Sequence, residues 1–262
     1  MSGIIGAVSQ RNIVPALLKG LHHMALDAHG SNAHGSCGLA VHGMQNAKMS
    51  PAKLLRMRST HSMADLVSRS TDPLLGLQGT SAMGHIRAAT QGAPTIFNAH
   101  PHFSHGPHTD LSKPAQVALV HNGTIDNHQG LCTHLMERAY TFTSQTDTEV
   151  IAHLMHATYQ GDALQAIQRT LGLLQGTYAL AVMFHDQPQR ILAAHSGLPL
   201  FLGIAQQALY IASDKMALPE EAEHVVYLCE GDVVDIRHDQ YAITDRTGKH
   251  VNRPIHDLRA CH

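Results

Sequence analysis

The strongest constraint on this chain lies at its start. Residues Ile4 to Val8 form an apolar run with Gly3 ahead of it and Gly6 inside it, and a short run of this kind predicts a fully buried strand. The N-terminal end is therefore expected inside the core. Over Ile13 to Ala25 the spacing changes, because Ile13, Leu17, Leu21 and Met24 recur at helical intervals with Ala16, Leu18 and Ala25 beside them. A helix packed by one face follows the first strand. Further strands are predicted at Leu39 to Val41, Ser81 to Ile86 and Gln116 to Val120.

Residues Ala28 to Gly38 hold three glycines and two histidines and read as a connection, with glycines too weakly patterned to cradle a phosphate. Met44 to Pro73 is mixed, with short helical pieces. From Asn127 to Leu174 the pattern is helical, and Thr146-Asp147-Thr148-Glu149 is a capping box opening a helix over Val150 to Tyr159. After Thr177, β-type runs dominate: Tyr178 to Phe184, Arg190 to Ala194, Leu200 to Ile204, Ala208 to Ala212, Val225 to Leu228, Val233 to Arg237 and Tyr241 to Thr244. No repeat or linker divides the 262 residues, and 44% hydrophobic content supplies a real core. One layered α and β domain is expected.

Composition removes several function classes. Lys plus Arg number 18 against 20 Asp plus Glu, so neither a nucleic acid nor a membrane surface is an expected partner. The longest apolar stretch, Leu171 to Phe184, is interrupted by Gln175, Gly176 and Thr177 and falls short of the roughly 18 residues of a membrane span. The first residues lack the pattern of a signal peptide, so a cytoplasmic location is expected. Cys37, Cys132, Cys229 and Cys261 form no paired motif and are expected as thiols. The triplet Asn122-Gly123-Thr124 is then irrelevant as a sugar acceptor. There are 23 histidines, but only His100, His102, His105 and His108 cluster, in a stretch with Pro and Gly that reads as a loop. Without an interleaved cysteine or acid, that cluster is not read as a metal site, and no cofactor is expected.

Chemistry is concentrated at a few strand and helix ends. A small residue after the initiator methionine permits its removal, leaving Ser2 with a hydroxyl and an α-amine whose reference pKa is ~7.7 to 8.0. Serine is also simply common at that position, yet here it adjoins a predicted strand end, a rigid platform for a reacting group. Arg87 ends another strand and suits a bidentate grip on a carboxylate, or a surface ion pair. Asn122 and Gly123 offer an amide and an approachable N–H for an oxyanion, or form a turn. Asp147 complements the dipole of its helix and could also hold an ammonium. A nucleophile, an oxyanion hole, a cation and an anion together match an amino acid with a side-chain amide. Glutamine fits.

These residues stand within stretches that resemble the class II glutamine amidotransferases, whose glutaminase domain is an N-terminal-nucleophile hydrolase. The stretches are Gly3-Ile4-Ile5-Gly6-Ala7, Gly84-His85-Ile86-Arg87, Asn98-Ala99-His100-Pro101-His102, Val120-His121-Asn122-Gly123 and Tyr140-Thr141-Phe142, then Thr146 through Leu154, Ser196-Gly197-Leu198-Pro199-Leu200 and Ile211-Ala212-Ser213-Asp214. They follow family order over nearly the whole chain. Within that family the stretches resemble the glutaminase half of the glucosamine-6-phosphate synthases (glutamine:fructose-6-phosphate amidotransferases).

The resemblance implies an α+β fold, a four-layer αββα sandwich. It implies Ser2 as nucleophile, Asn122 and Gly123 as oxyanion hole, Arg87 on the glutamine carboxylate and Asp147 on its ammonium. Thr90 and His100 would line the substrate, with Arg87 to Pro94 as a mobile loop. It further implies an isolated glutaminase domain or subunit over residues 1–262, without the sugar-isomerase domain that receives ammonia. The expected partners are L-glutamine, a synthase or isomerase domain or subunit, and a second copy of the chain.

Departures bear on that expectation. The family's nucleophile is cysteine, and Ser2 replaces it here. The family's Arg-Gly-x-Asp segment is replaced by Ala28 to Cys37, without arginine; Ala88 stands for the usual tryptophan of the loop and Gln91 for a histidine. Two readings follow: a glutaminase acting through serine, or an impaired or inactive glutamine-binding module docked on a synthase subunit. An N-terminal-serine amidase for another amide is a third.

Overall fold

A computed structural model describes residues 2–28, 35–43, 53–72, 76–87, 95–110 and 112–258. The first part of the chain forms β1 (Gly3–Ser9), α1 (Val14–Ala28), β2 (Ser36–His42), β3 (Leu54–Ser59), α2 (Met63–Ser70), β4 (Ser81–Arg87), β5 (His102–Ser104) and β6 (Val117–Ile125). Three helices follow, α3 (His128–Glu137), α4 (Asp147–Thr158) and α5 (Ala163–Leu171). The rest is β7 (Gly176–Phe184), β8 (Arg190–Ser196), β9 (Phe201–Ile204), β10 (Ala208–Ala212), β11 (His224–Tyr227), β12 (Val233–Arg237), β13 (Tyr241–Thr244), β14 (His250–Val251) and β15 (Ile255–Asp257).

The strands make two antiparallel sheets. One has eight strands in the order β15-β11-β9-β10-β1-β4-β2-β3, and the other seven in the order β14-β13-β12-β8-β7-β6-β5. Alternation of side chains assigns each strand residue to a layer. Ile4 and Val8 of β1 pack with Met83 of β4, Ala118 and Val120 of β6, and Ile211 of β10 in the core between the sheets. Ile5 and Ala7 face the other way, onto Leu17 and Leu21 of α1. On the far sheet, Val117 and Leu119 of β6 pack against Ile151 and Met155 of α4 and Ile167 of α5. The result is the expected αββα sandwich, and β1, buried along its whole length, sits near the middle of the larger sheet.

Several elements differ from their sequence reading. The strand read as Gln116 to Val120 continues to Ile125, with His121, Asn122 and Gly123 paired to Leu180, Ala179 and Tyr178. Asn122-Gly123 is therefore no hairpin turn. The capped helix begins at Asp147, its Thr146 Oγ1 accepting from the Glu149 N–H at 3.4 Å. The histidine stretch read as a loop contains β5, whose His102 and Ser104 are buried. Its polar side chains find partners from α4 and its cap: Thr146 Oγ1 lies 3.1 Å from His102 Nε2, and Ser104 Oγ lies 2.8 Å from His153 Nδ1. Met44 to Pro73, read as mixed, contains β3 and α2. Among the described residues no helix is long and apolar enough to cross a membrane, and no group of three His, Cys, Asp or Glu is placed to hold a metal ion.

Candidate active site

Four columns of inward-facing residues leave the core at one end of the sandwich and turn polar as they do. Val8, Gly6 and Ile4 on β1 lead by the two-residue period to Ser2; Met83 on β4 leads to His85 and Arg87. Ala118 and Val120 on β6 lead to Asn122, and Leu209 and Ile211 on β10 lead to Ser213. Pairing holds these ends together. Gly3 lies opposite Ile86 and Ile5 opposite Ala212, so Ser2 and Arg87 occupy the next opposed positions of the same ladder.

Hydrogen bonds join the column ends. The Asn122 Nδ2 donates to the Ser2 carbonyl oxygen at 3.2 Å and to Ser213 Oγ at 3.4 Å. Its Oδ1 faces His85 Nε2 at 2.9 Å. Ser213 Oγ also accepts from the Ile4 N–H at 2.9 Å, and the Ser213 N–H returns a bond to the Ile4 carbonyl at 3.0 Å. The two sheets are thus stapled where β1 begins.

Asp147 is tied to the same strand as Asn122. Its Oδ2 accepts the Ile125 N–H at 2.9 Å, and its Oδ1 lies 3.8 Å from Nδ1 of the buried His121. The imidazole in turn lies 3.1 Å from Thr148 Oγ1. His100 is buried, with its ring centroid 4.1 Å from that of His85. Its segment crosses β2 at Gly38, where a Cβ would stand 2.3 Å from the His100 carbonyl oxygen; only glycine admits so close a crossing. Arg58 and Arg56 of β3 donate to the Ala99 and Pro101 carbonyls at 2.8 and 3.2 Å. Asn98 Oδ1 accepts the Gln145 N–H at 3.1 Å.

Of the sequence candidates, then, Ser2 and Arg87 come together at the adjoining ends of β1 and β4, the side chain of Asn122, next to Gly123 within β6, is bonded to the Ser2 carbonyl, Asp147 is bonded to the strand of Asn122, and His100 lies beside His85. Thr90, and the rest of the segment from Ala88 to Pro94, lies outside the described residues. Sequence reasoning gave no role to His85, Ser213, Arg56 or Arg58. For His85 and Ser213 the available signal was the alternation itself, since each continues an apolar column by two residues.

Burial sets the charge state of this region. Desolvation pushes the His85 imidazole down to about 3, with the positive fields of His121 and Arg87 adding to it. His100 and His102 are lowered well below 6.5 for the same leading reason. Away from the site, at the opposite end of β2, His42 donates to the Phe184 carbonyl at 2.9 Å and falls to about 4, chiefly through desolvation. These rings are neutral in the fold, whereas the unfolded chain protonates them near 6.5. Their contribution to stability is complete above about pH 6.5 and is lost as pH falls toward the folded values, at up to about 1.4 kcal/mol per pH unit for each ring. The urea midpoint is expected to fall clearly between pH 7.5 and pH 5, a window above most carboxylate titration. An unchanged midpoint would contradict neutral buried imidazoles.

A glutamine amidotransferase domain family matches residues 98–220. The glutamine–fructose-6-phosphate aminotransferase (isomerizing) of Bordetella pertussis is 40% identical over 259 residues, 99% of this chain and 40% of that protein. That of Pseudomonas putida is 41% identical over 256 residues, covering 97% and 38%. The chain thus spans about two fifths of the length of these relatives. Among solved structures, the glutamine phosphoribosylpyrophosphate amidotransferase of B. subtilis superposes with a TM-score of 0.72 at 21% identity, covering 95% of this chain and 50% of that one. An allosteric regulatory enzyme of purine biosynthesis gives 0.74 at 22% identity, covering 93% and 49%. At those identities the likeness concerns the fold.

Proposed function

Because the chain belongs to the glutamine amidotransferase domain family, we propose that it binds L-glutamine and hydrolyses the side-chain amide to glutamate and ammonia. The observation that carries this reading is the Asn122 carboxamide bonded to the carbonyl of Ser2, which sets an oxyanion donor beside the residue that bears the nucleophile. Removal of Met1 frees the Ser2 α-amine. Ser2 Oγ then attacks the amide carbon while that amine takes its proton, and Asn122 Nδ2 and the Gly123 N–H stabilise the oxyanion. The proton passes to the leaving nitrogen, ammonia departs, and water attacking the γ-ester releases glutamate and restores the hydroxyl. No cofactor takes part.

Arg87 binds the glutamine carboxylate and Asp147 its ammonium, with Thr90 and His100 along the side chain. Residues 1–262 act as one glutaminase domain, and the ammonia passes to a sugar-phosphate synthase or isomerase domain or subunit. The relatives carry the name of that isomerizing reaction, which supports this choice of acceptor.

Purified protein is expected to release glutamate and ammonia in equal amounts. Arg87→Ala is expected to raise KM for glutamine roughly ten- to a hundredfold, the scale of a lost charged hydrogen-bond pair. Calorimetry separates the second reading: stoichiometric glutamine binding without product identifies an inactive binding module, which the serine at position 2 favours. Neither binding nor hydrolysis overturns both.

A further inference from the structure

We infer that His85 is a positioning residue for the amide hydrolysis, fixing the Asn122 carboxamide in the one orientation that turns its N–H groups toward the N-terminal residue. The inference rests on the reading above. A carboxamide can sit in its site two ways round, with oxygen and nitrogen exchanged. Here one edge of Asn122 meets His85 Nε2 at 2.9 Å, and the other meets two oxygens, the Ser2 carbonyl and Ser213 Oγ, at 3.2 and 3.4 Å.

The carbonyl oxygen of Ser2 can only accept, so the edge facing it must carry hydrogen. The opposite edge is then Oδ1 and requires a donor from His85. A neutral imidazole holds one proton, and the second ring nitrogen, Nδ1, is buried without a hydrogen-bond partner among the described residues. The proton therefore resides on Nε2, where an acceptor waits. The reversed amide would press oxygen against oxygen at Ser2 and set two donors against each other at His85. The His100 ring, tilted 34° at 4.1 Å, walls the imidazole on one side.

This arrangement has a consequence for the reaction. Both Nδ2 hydrogens are engaged, and the longer bond, to Ser213 Oγ, is the one an oxyanion can replace with a small rotation about the Asn122 side chain. Such a rotation keeps Oδ1 on His85, so the imidazole acts as its pivot.

The test measures kcat and KM for glutamine in the parent, His85→Ala and His85→Gln. A glutamine places its Nε2 donor at nearly the reach of a histidine Nε2. Expected is a ten- to hundredfold loss of kcat in His85→Ala, since removing an oxyanion donor outright costs about 10²–10³. KM should stay within about twofold, and His85→Gln should recover at least tenfold. Nitrogen-15 spectra of the parent should assign the Nε2–H tautomer to His85. A fully active His85→Ala, a glutamine variant no better than the alanine, or an Nδ1–H tautomer overturns this inference while leaving the amidase reading intact. An inert parent overturns that reading, and this role with it.

Discussion

Exchanging Ser2 for cysteine is expected to raise kcat for glutamine hydrolysis roughly 10³-fold, within the 10²–10⁴ range that general-base assistance supplies to a weak nucleophile. The reason is the proton. A free thiol, with a pKa near 8.5, is already a few per cent thiolate at neutral pH. A hydroxyl is not, so in the proposed mechanism attack by Ser2 depends wholly on base assistance from an α-amine on the same residue. The nearby imidazole of His85 does not supply that base: its Nε2–H is spent on Asn122, and burial holds the ring at about 3, too weakly basic to take the hydroxyl proton. The side chains are nearly equal in volume and the residue is only partly buried, so the exchange should leave stability and glutamine affinity almost unchanged. Intact mass is measured first, to establish that Met1 is absent from both proteins. Initial rates of glutamate release then decide. Equal rates for the two residues would show that Oγ is not the attacking atom.

The placement of position 2 next to a strand end is legible in the sequence, because the strand that follows it is. Ile4 to Val8 announces itself as a buried run, and β7 and β10 do so equally, since apolar residues on both faces need no knowledge of distant partners. What the runs do not reveal is where a column changes character. Asn122 follows Ala118 and Val120 on one face of β6, but an Asn-Gly pair read locally signals a turn, and only the ladder with β7 shows the strand passing through it. β5 escaped for a related reason. His102 and Ser104 are tolerated inside because Thr146 and His153, more than forty residues away, satisfy them, and such partners leave no local trace. Arg56 and Arg58 sit in a stretch without periodicity, and their hold on Ala99 and Pro101 is a purely tertiary fact. Asp147 was found through its cap, although the cap alone gave no hint that its carboxylate reaches Ile125.

Replacing Gly123 by alanine is expected to cost about 3–5 kcal/mol of stability, in the range reserved for strained or clashing backbone sites. Two independent penalties converge there. The residue has φ +121°, a conformation open to glycine and strained for any L side chain. A Cβ would also stand 2.0 Å from the Thr177 carbonyl oxygen, 2.8 Å from its carbon and 3.0 Å from Tyr178 Cα. All three atoms are backbone of β7, which pairs with β6 along nine residues and cannot yield without breaking that ladder. A side chain would have moved aside; a paired strand does not. At roughly 2–4 °C per kcal/mol for a domain near this size, the melting temperature should drop by about 10 °C. Scanning calorimetry on the variant and the parent measures it, and a difference below about 2 °C would contradict the backbone geometry at 123. The same bare Cα gives the Gly123 N–H its reach toward a reacting carbonyl. Relief of the strain by loosening β6 from β7 would therefore displace Asn122 as well, so any folded fraction of the variant should show a lower kcat, not merely a lower yield.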